Sequence, residues 1–155
     1  MKKSWREYIN TVEEKIHDIT PEWESKMGKG KILIPKPLDI ERIINRTKKG
    51  ELLTTDIIRE QLAKEKNVRL TASAPTKIYL KHIAFAAEEE IAEGNDNITP
   101  YWRVLLPKGL INEKFPGGYE KQQKLLKSEG HKIEQYGKRK KIPKVVSFQE
   151  SLIKF

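Results

Sequence analysis

The sequence predicts an α+β fold built as a winged helix-turn-helix, with an N-terminal helical extension and a basic C-terminal tail. Three observations carry this expectation. Apolar residues recur at helical spacing over residues 40–44, 57–62 and 79–91, with a short connector between the second and third runs. Trp102 to Leu106 is apolar and partly β-branched, as a short buried strand would be. Pro107-Lys108-Gly109 and Pro116-Gly117-Gly118 then bound a loop before a last helix-favouring run. Winged-helix proteins share this order of elements.

In chain order, Ser4 and Glu7 form a candidate capping pair. Trp5, Tyr8, Ile9, Val12 and Ile16 extend that into an expected helix over residues 4–19. Thr20-Pro21 opens a turn or short helix carrying Trp23. Gly28-Lys29-Gly30-Lys31 reads as a flexible basic linker, since it lacks both the Walker spacing and the Ser or Thr after the lysine. Residues 1–37 are expected to be an N-terminal helix and basic linker, 38–135 the winged-helix domain and 136–155 a basic tail with a short docking segment. Asp39 starts the next helix, which closes on the basic run Thr47-Lys48-Lys49-Gly50. Thr54 or Thr55 caps a helix reaching Asn67, and residues 68–71 form a connector able to pair briefly. Ser73 is expected to cap the longest helix, with Pro75 in its first turn. Tyr119 to Ser128 forms the last helix, stopped by Gly130. Lys138, Arg139, Lys140 and Lys141 are four adjacent cations in the tail, and Phe148, Leu152 and Phe155 are expected to dock it back.

Composition narrows the function. A chain of 155 residues with net charge +9 and pI near 9.6 favours an anionic partner, nucleic acid ahead of a membrane surface. There is no cysteine, which removes disulfides, thiolate metal sites, iron–sulfur clusters and any cysteine nucleophile. His17, His82 and His131 are far apart, so no zinc site and no other cofactor is expected. No apolar run approaches the roughly 20 residues that cross a bilayer, and the Met1-Lys2-Lys3 start lacks the apolar core of a signal peptide. The expectation is a soluble, cytoplasmic monomer. Glu13-Glu14 and Glu88-Glu89-Glu90 supply paired carboxylates, but on helices these are expected to face solvent. Spacing reveals no Ser-His-Asp or Cys-His grouping.

Pro100-Tyr101-Trp102-Arg103-Val104, then Gly117-Gly118-Tyr119, then Leu125-Leu126-Lys127-Ser128-Glu129-Gly130-His131 resemble the C-terminal domain of the alkylguanine-DNA alkyltransferases. That family carries Pro-Cys-His-Arg-Val, Gly-Gly-Tyr and Leu-Leu-x-x-Glu-Gly-His in the same order. Gly50 to Thr55 resembles its approach to the helix-turn-helix, and the likeness covers roughly residues 38–133. Tyr101 stands where the family has its alkyl-accepting cysteine, and Trp102 stands at the neighbouring histidine. A phenol of reference pKa about 10 is a poor substitute for a thiolate. The pattern is therefore similar to the alkyltransferase-like proteins, which bind alkylated guanine in DNA without repairing it.

The resemblance implies a non-enzymatic protein that binds duplex DNA, flips 6-O-alkylguanine out of the stack and signals to DNA-repair proteins. Its base pocket would comprise Tyr101, Trp102, Arg103, Gly117, Gly118, Tyr119 and Glu129. Thr55 corresponds most nearly to the family tyrosine that helps rotate the nucleotide, and Lys77 or Lys81 falls near its stack-filling arginine. Ser73, Lys108, Lys114 and the cations 138–141 are the remaining candidate DNA contacts, with the wing placed at Lys108 to Lys114. The residues leave alternatives open. Tyr101 and Trp102 also fit as core aromatics of a strand, Arg103 as the partner of Glu129, and Lys77 and Lys81 as solvated charges. A general winged-helix DNA-binding or transcription-regulatory module, and a degenerate protein-binding scaffold, remain the competing functions.

Overall fold

A computed structural model describes residues 4–155; the first three residues, part of the stretch read for a signal peptide, lie outside it. The fold is α+β, with six α-helices and three small sheets among the described residues. Helix α1 (Trp5–Thr11) is capped by Ser4, whose Oγ accepts the Glu7 amide at 3.1 Å. The helix expected over residues 4–19 ends at Thr11, because Val12 is extended and strand β1 (Lys15–Asp18) pairs antiparallel with β2 (Lys31–Ile34). Pairing with a remote strand satisfies backbone groups that helical periodicity alone would have assigned to a longer helix. Between them lies α2 (Pro21–Met27), which ends at Gly28.

The segment expected as a flexible linker is instead a turn inside this sheet. The Ile19 amide donates to Gly30 O at 2.8 Å and the Arg69 amide to Lys31 O at 2.9 Å. β2 also pairs parallel with β4 (Leu70–Thr71), so it is the centre of a three-stranded sheet. Leu33 of β2 and Ile9 of α1 are buried in the main core, and the N-terminal elements are thus packed into the body.

Helix α3 (Pro37–Ile44) starts two residues before the expected Asp39, since Pro37 is preset for a first turn. Ile40, Ile43 and Ile44 are fully buried there. Strand β3 (Leu53–Thr54) leads into α4 (Thr55–Lys66), closed by Asn67 in the left-handed conformation. Helix α5 (Ser73–Ala92) is the central element and buries Leu80, Ile83, Ala84, Ala86 and Ala87. Each Leu or Ile removed from water in this way contributes roughly 1.5–3 kcal/mol before entropy is counted. Its cap position is Ala72, and Ser73 lies inside the helix rather than capping it, with no side-chain cap bond formed there.

The expected strand at Trp102–Leu106 is shorter than its apolar run. Tyr101–Arg103 forms one turn of 3₁₀ helix, and only β5 (Val104–Leu105) pairs, parallel with β3. Helix α6 (Gly118–Ser128) follows. The tail is an ordered hairpin: β6 (Ile133–Tyr136) pairs antiparallel with β7 (Ile142–Val145), with the four cations at its tip. Gly109, at φ +80°, admits the Phe148 ring so closely that any side chain there would overlap it. Leu152 bridges to Leu52 beside β3. A second core of Leu52, Leu105, Ile111, Leu126, Val145 and Phe148 results, and Trp102 packs against both cores.

Candidate nucleic-acid interface

Tyr101 is an interior residue, 1% exposed. Its hydroxyl donates to Glu88 Oε1 at 2.6 Å, and the other Glu88 oxygen accepts from Lys121 Nζ. The Phe115 and Trp102 rings meet it edge-on, with centroids 5.2 and 5.5 Å away. Burial pushes the phenol above its ordinary value of 10, and the Glu88 hydrogen bond and charge push the same way. Tyr101 is therefore a neutral strut between α5 and the 3₁₀ turn. It offers no free ring face on which a base could stack.

Arg103 and Glu129 of the expected base pocket are tied up with each other, whereas Tyr119 lines an open cleft. Arg103 forms a fork with Glu129, at 2.7 Å from Nη2 and 2.9 Å from Nε, and donates from Nη1 to Thr47 O at 2.8 Å. Gln122, which sequence reasoning passed over, is 1% exposed. Its amide nitrogen donates to the Trp102 and Val104 carbonyls, and its oxygen accepts the Asn112 amide. The signal was present: Gln122 lies on the same helical face as Leu126, four residues on, where an apolar residue is the default. Gly117 and Gly118 both have positive φ and turn the chain into α6.

The three glutamates expected to face solvent each hold a different partner. Glu88 binds Tyr101 and Lys121; Glu89 accepts the Trp5 amide at 2.6 Å, sealing the start of α1. Glu90 accepts from Arg6, which also forks onto Glu41 at 2.7 Å on both sides. Glu41 receives the Thr99 hydroxyl as well. Burial pushes the Glu41 carboxyl up, but the hydrogen bonds from Arg6 and Thr99, with the Arg6 charge, outweigh it and leave it below its ordinary 4.5. A lowered folded value stabilises the native state above the unfolded carboxylate range, and that contribution disappears as pH falls through the folded value. Urea midpoints measured between pH 7 and about pH 3 should fall less steeply in Glu41→Gln than in the natural chain. Equal slopes would mean that Glu41 is not held ionised.

The DNA-contact candidates separate into groups. Thr55 is 3% exposed at the start of α4, so its side chain is unavailable to a duplex. Lys77, Lys81, Lys114 and Lys140 come together around one half-open cleft of about 520 Å³. Ile78, Leu106, Leu110, Ile111, Tyr119 and Ile142 form its apolar lining, and Glu113 is the one carboxylate on it. Tyr101 and Trp102 are not among its walls. Lys108 is exposed on the 3₁₀ turn within the 106–114 loop, at φ +70°, and does not line the cleft. Lys138, Arg139 and Lys141 stand at the hairpin tip beside Lys140, and Lys141 Nζ donates back to Gly137 O at 2.7 Å. Ser73 lies one turn before Lys77, in a different hollow.

Among the described residues, no group of three His, Asp or Glu side chains is placed to hold a metal ion. Among the same residues no helix is long and apolar enough to cross a membrane. No protein-family model, curated protein or solved structure matches the chain.

Proposed function

We propose that this chain binds duplex DNA without catalysing a reaction on it, as an alkyltransferase-like protein with a winged helix-turn-helix arrangement. The observation that carries the reading is the cleft whose rim gathers Lys77 and Lys81 from α5, Lys114 from the 106–114 loop and Lys140 from the hairpin. Four ammonium groups from three elements around an apolar floor suit a base with its flanking phosphates. In this reading α4 and α5 are the helix-turn-helix, and α5 presents its Lys77–Lys81 stretch to the groove. The wing is the β6–β7 hairpin rather than the loop at Lys108 to Lys114.

The base rests in the cleft against Ile78, Leu110, Tyr119 and Ile142, not between Tyr101 and Trp102, whose rings are packed inward. Alkylation favours this outcome energetically. Flipping a base costs a few kcal/mol, and the cost is least for damaged or mispaired bases. With no cysteine in the chain and the Tyr101 phenol bound to Glu88, the alkyl group stays on the guanine. Bound lesions would then be marked for DNA-repair proteins.

A titration against matched duplexes, with and without 6-O-methylguanine, at two salt concentrations tests the reading. Tighter binding of the lesion duplex is expected, with affinity for both falling as salt rises. Equal affinities would remove lesion recognition and leave general duplex binding, the reading favoured by the inward packing of Tyr101. Absence of binding at low salt would overturn the DNA assignment itself.

A further inference from the structure

We infer that a second basic cleft, at the start of α5, holds the phosphates of the opposite DNA strand, so that the exposed stripe of α5 is gripped from both ends. The inference rests on the duplex-binding reading above. This hollow of about 550 Å³ is lined by Lys26, Arg59 and Arg69 against Met27, Ile32, Leu70 and Pro75, with no carboxylate on its walls. Among the described residues none of the three cations forms an ion pair. Asp56 and Glu60 share a neighbouring hollow with the two arginines but lie outside this one.

Both arginines are held by their inner nitrogen. Arg59 Nε donates to Thr71 O at 3.0 Å, and Arg69 Nε donates to Met27 O at 3.1 Å. The terminal nitrogens of each guanidinium are left without a protein partner among the described residues. Arg69 lies flat over the turn because Gly28 and Gly30 have no side chains: a Cβ on Gly28 would sit 2.9 Å from Arg69 Nε, and one on Gly30 would sit 3.0 Å from Arg69 Cβ. A guanidinium fixed at Nε with its outer edge free is suited to a phosphate.

The two clefts meet along α5. Ser73, Ala74 and Pro75 line the second, while Lys77, Ile78 and Lys81 line the first. Ala74, Lys77 and Ile78 are exposed, and Ala74 places no bulk between the two clefts. At 1.5 Å per residue the stretch from Ser73 to Lys81 spans about 12 Å, close to the roughly 12 Å width of the major groove of B-form DNA. Lys26 of α2, Arg59 of α4 and Arg69 of the connector before β4 flank the start of that stretch, Lys77 and Lys81 occupy its far half, and the two groups can face the backbones of two strands.

The test is a salt titration of a 20-base-pair duplex, read by fluorescence anisotropy. It compares the natural chain, Lys26→Ala with Arg69→Gln, a separate Ala74→Asp variant, and a hairpin-tip variant. Ala74→Asp adds an anion to the first turn of α5, where helices tolerate it, and so carries the test if the arginine variant fails to fold. The expected result is about tenfold to hundredfold weaker duplex binding in both cleft variants, with the salt slope of the Lys26–Arg69 variant shallower by about 2. Duplex binding and slope unchanged in both cleft variants, while the tip variant weakens, would overturn this inference and leave the duplex reading standing. No duplex binding by the natural chain would overturn both. Calorimetry with a mononucleotide is the remaining arm: tight binding by the natural chain, lost in the cleft variants while duplex affinity stays unchanged, would assign the cleft to a free phosphate ester instead.

Discussion

Arg103→Ala is expected to lower the unfolding free energy by about 3–5 kcal/mol, the range for removing one member of a buried ion pair. The side chains of Arg103 and Glu129 are only 11% and 8% exposed, so water cannot replace the lost partner. Arg103 joins three places: the 3₁₀ turn that carries it, Glu129 at the end of α6, and the Thr47 carbonyl beyond α3. Truncation leaves a buried carboxylate without its cation and a carbonyl without its donor. For a domain of this size the loss corresponds to a fall in melting temperature of roughly 6–20 °C. Adding Glu129→Gln to Arg103→Ala should recover part of the loss, because the orphaned charge is then removed. A loss below about 1 kcal/mol, typical of exposed pairs, would show that the pair is solvated. The stability assay is urea unfolding followed by circular dichroism.

Replacing Lys138, Arg139 and Lys140 with serine is expected to weaken duplex binding by ten- to a thousandfold near 0.1 M salt. Each phosphate contact contributes about 0.9 to the slope of log affinity against log salt for B-form DNA, so the slope should become shallower by nearly 3. All three side chains are exposed, and Lys141, which donates back to Gly137, is left in place to preserve the hairpin tip. Thermal stability should stay within about 0.5 kcal/mol of the natural chain, as for most surface substitutions. An unchanged salt slope would remove the hairpin from the interface. Loss of one contact, from Lys140 alone, would place only the cleft rim on the phosphate backbone.

Much of the architecture was readable where its cause is local. The stripe Leu80, Ile83, Ala84 and Ala87 identifies α5 because burial follows helical period there. Ser4 marks a helix start and Asn67 a helix stop because capping acts within one turn. The Arg103–Glu129 contact was open as an alternative, since the resemblance had already brought the two motifs together. Glu88, Glu89 and Glu90 were misread because nothing near them in sequence shows where their cations and amides come from. Glu89 meets the Trp5 amide, and Glu90 meets Arg6, across most of the chain length. The hairpin was hidden for a different reason. Four solvated cations dominate its composition, and they look the same on a loose tail as on the tip of a tight turn. Among the site residues, Lys77 and Lys81 line the cleft. The aromatic pair at Tyr101 and Trp102 does not, because two core neighbours and a carboxylate claim the tyrosine.

The Leu52 amide donates to Ser151 O, and the Ile153 amide donates to Leu52 O. These partners are about a hundred residues apart, so their meeting closes one of the longest loops in the molecule. A chain leaving the ribosome from its N-terminus has the ingredients of the first core once Phe115 has emerged. The second core waits for Val145 and Phe148, and its seam beside β3 waits for Ile153. The hairpin wall that carries Lys140 belongs to this late-closing half. The cleft therefore lacks one wall until the hairpin residues Lys140 and Ile142 have joined the body.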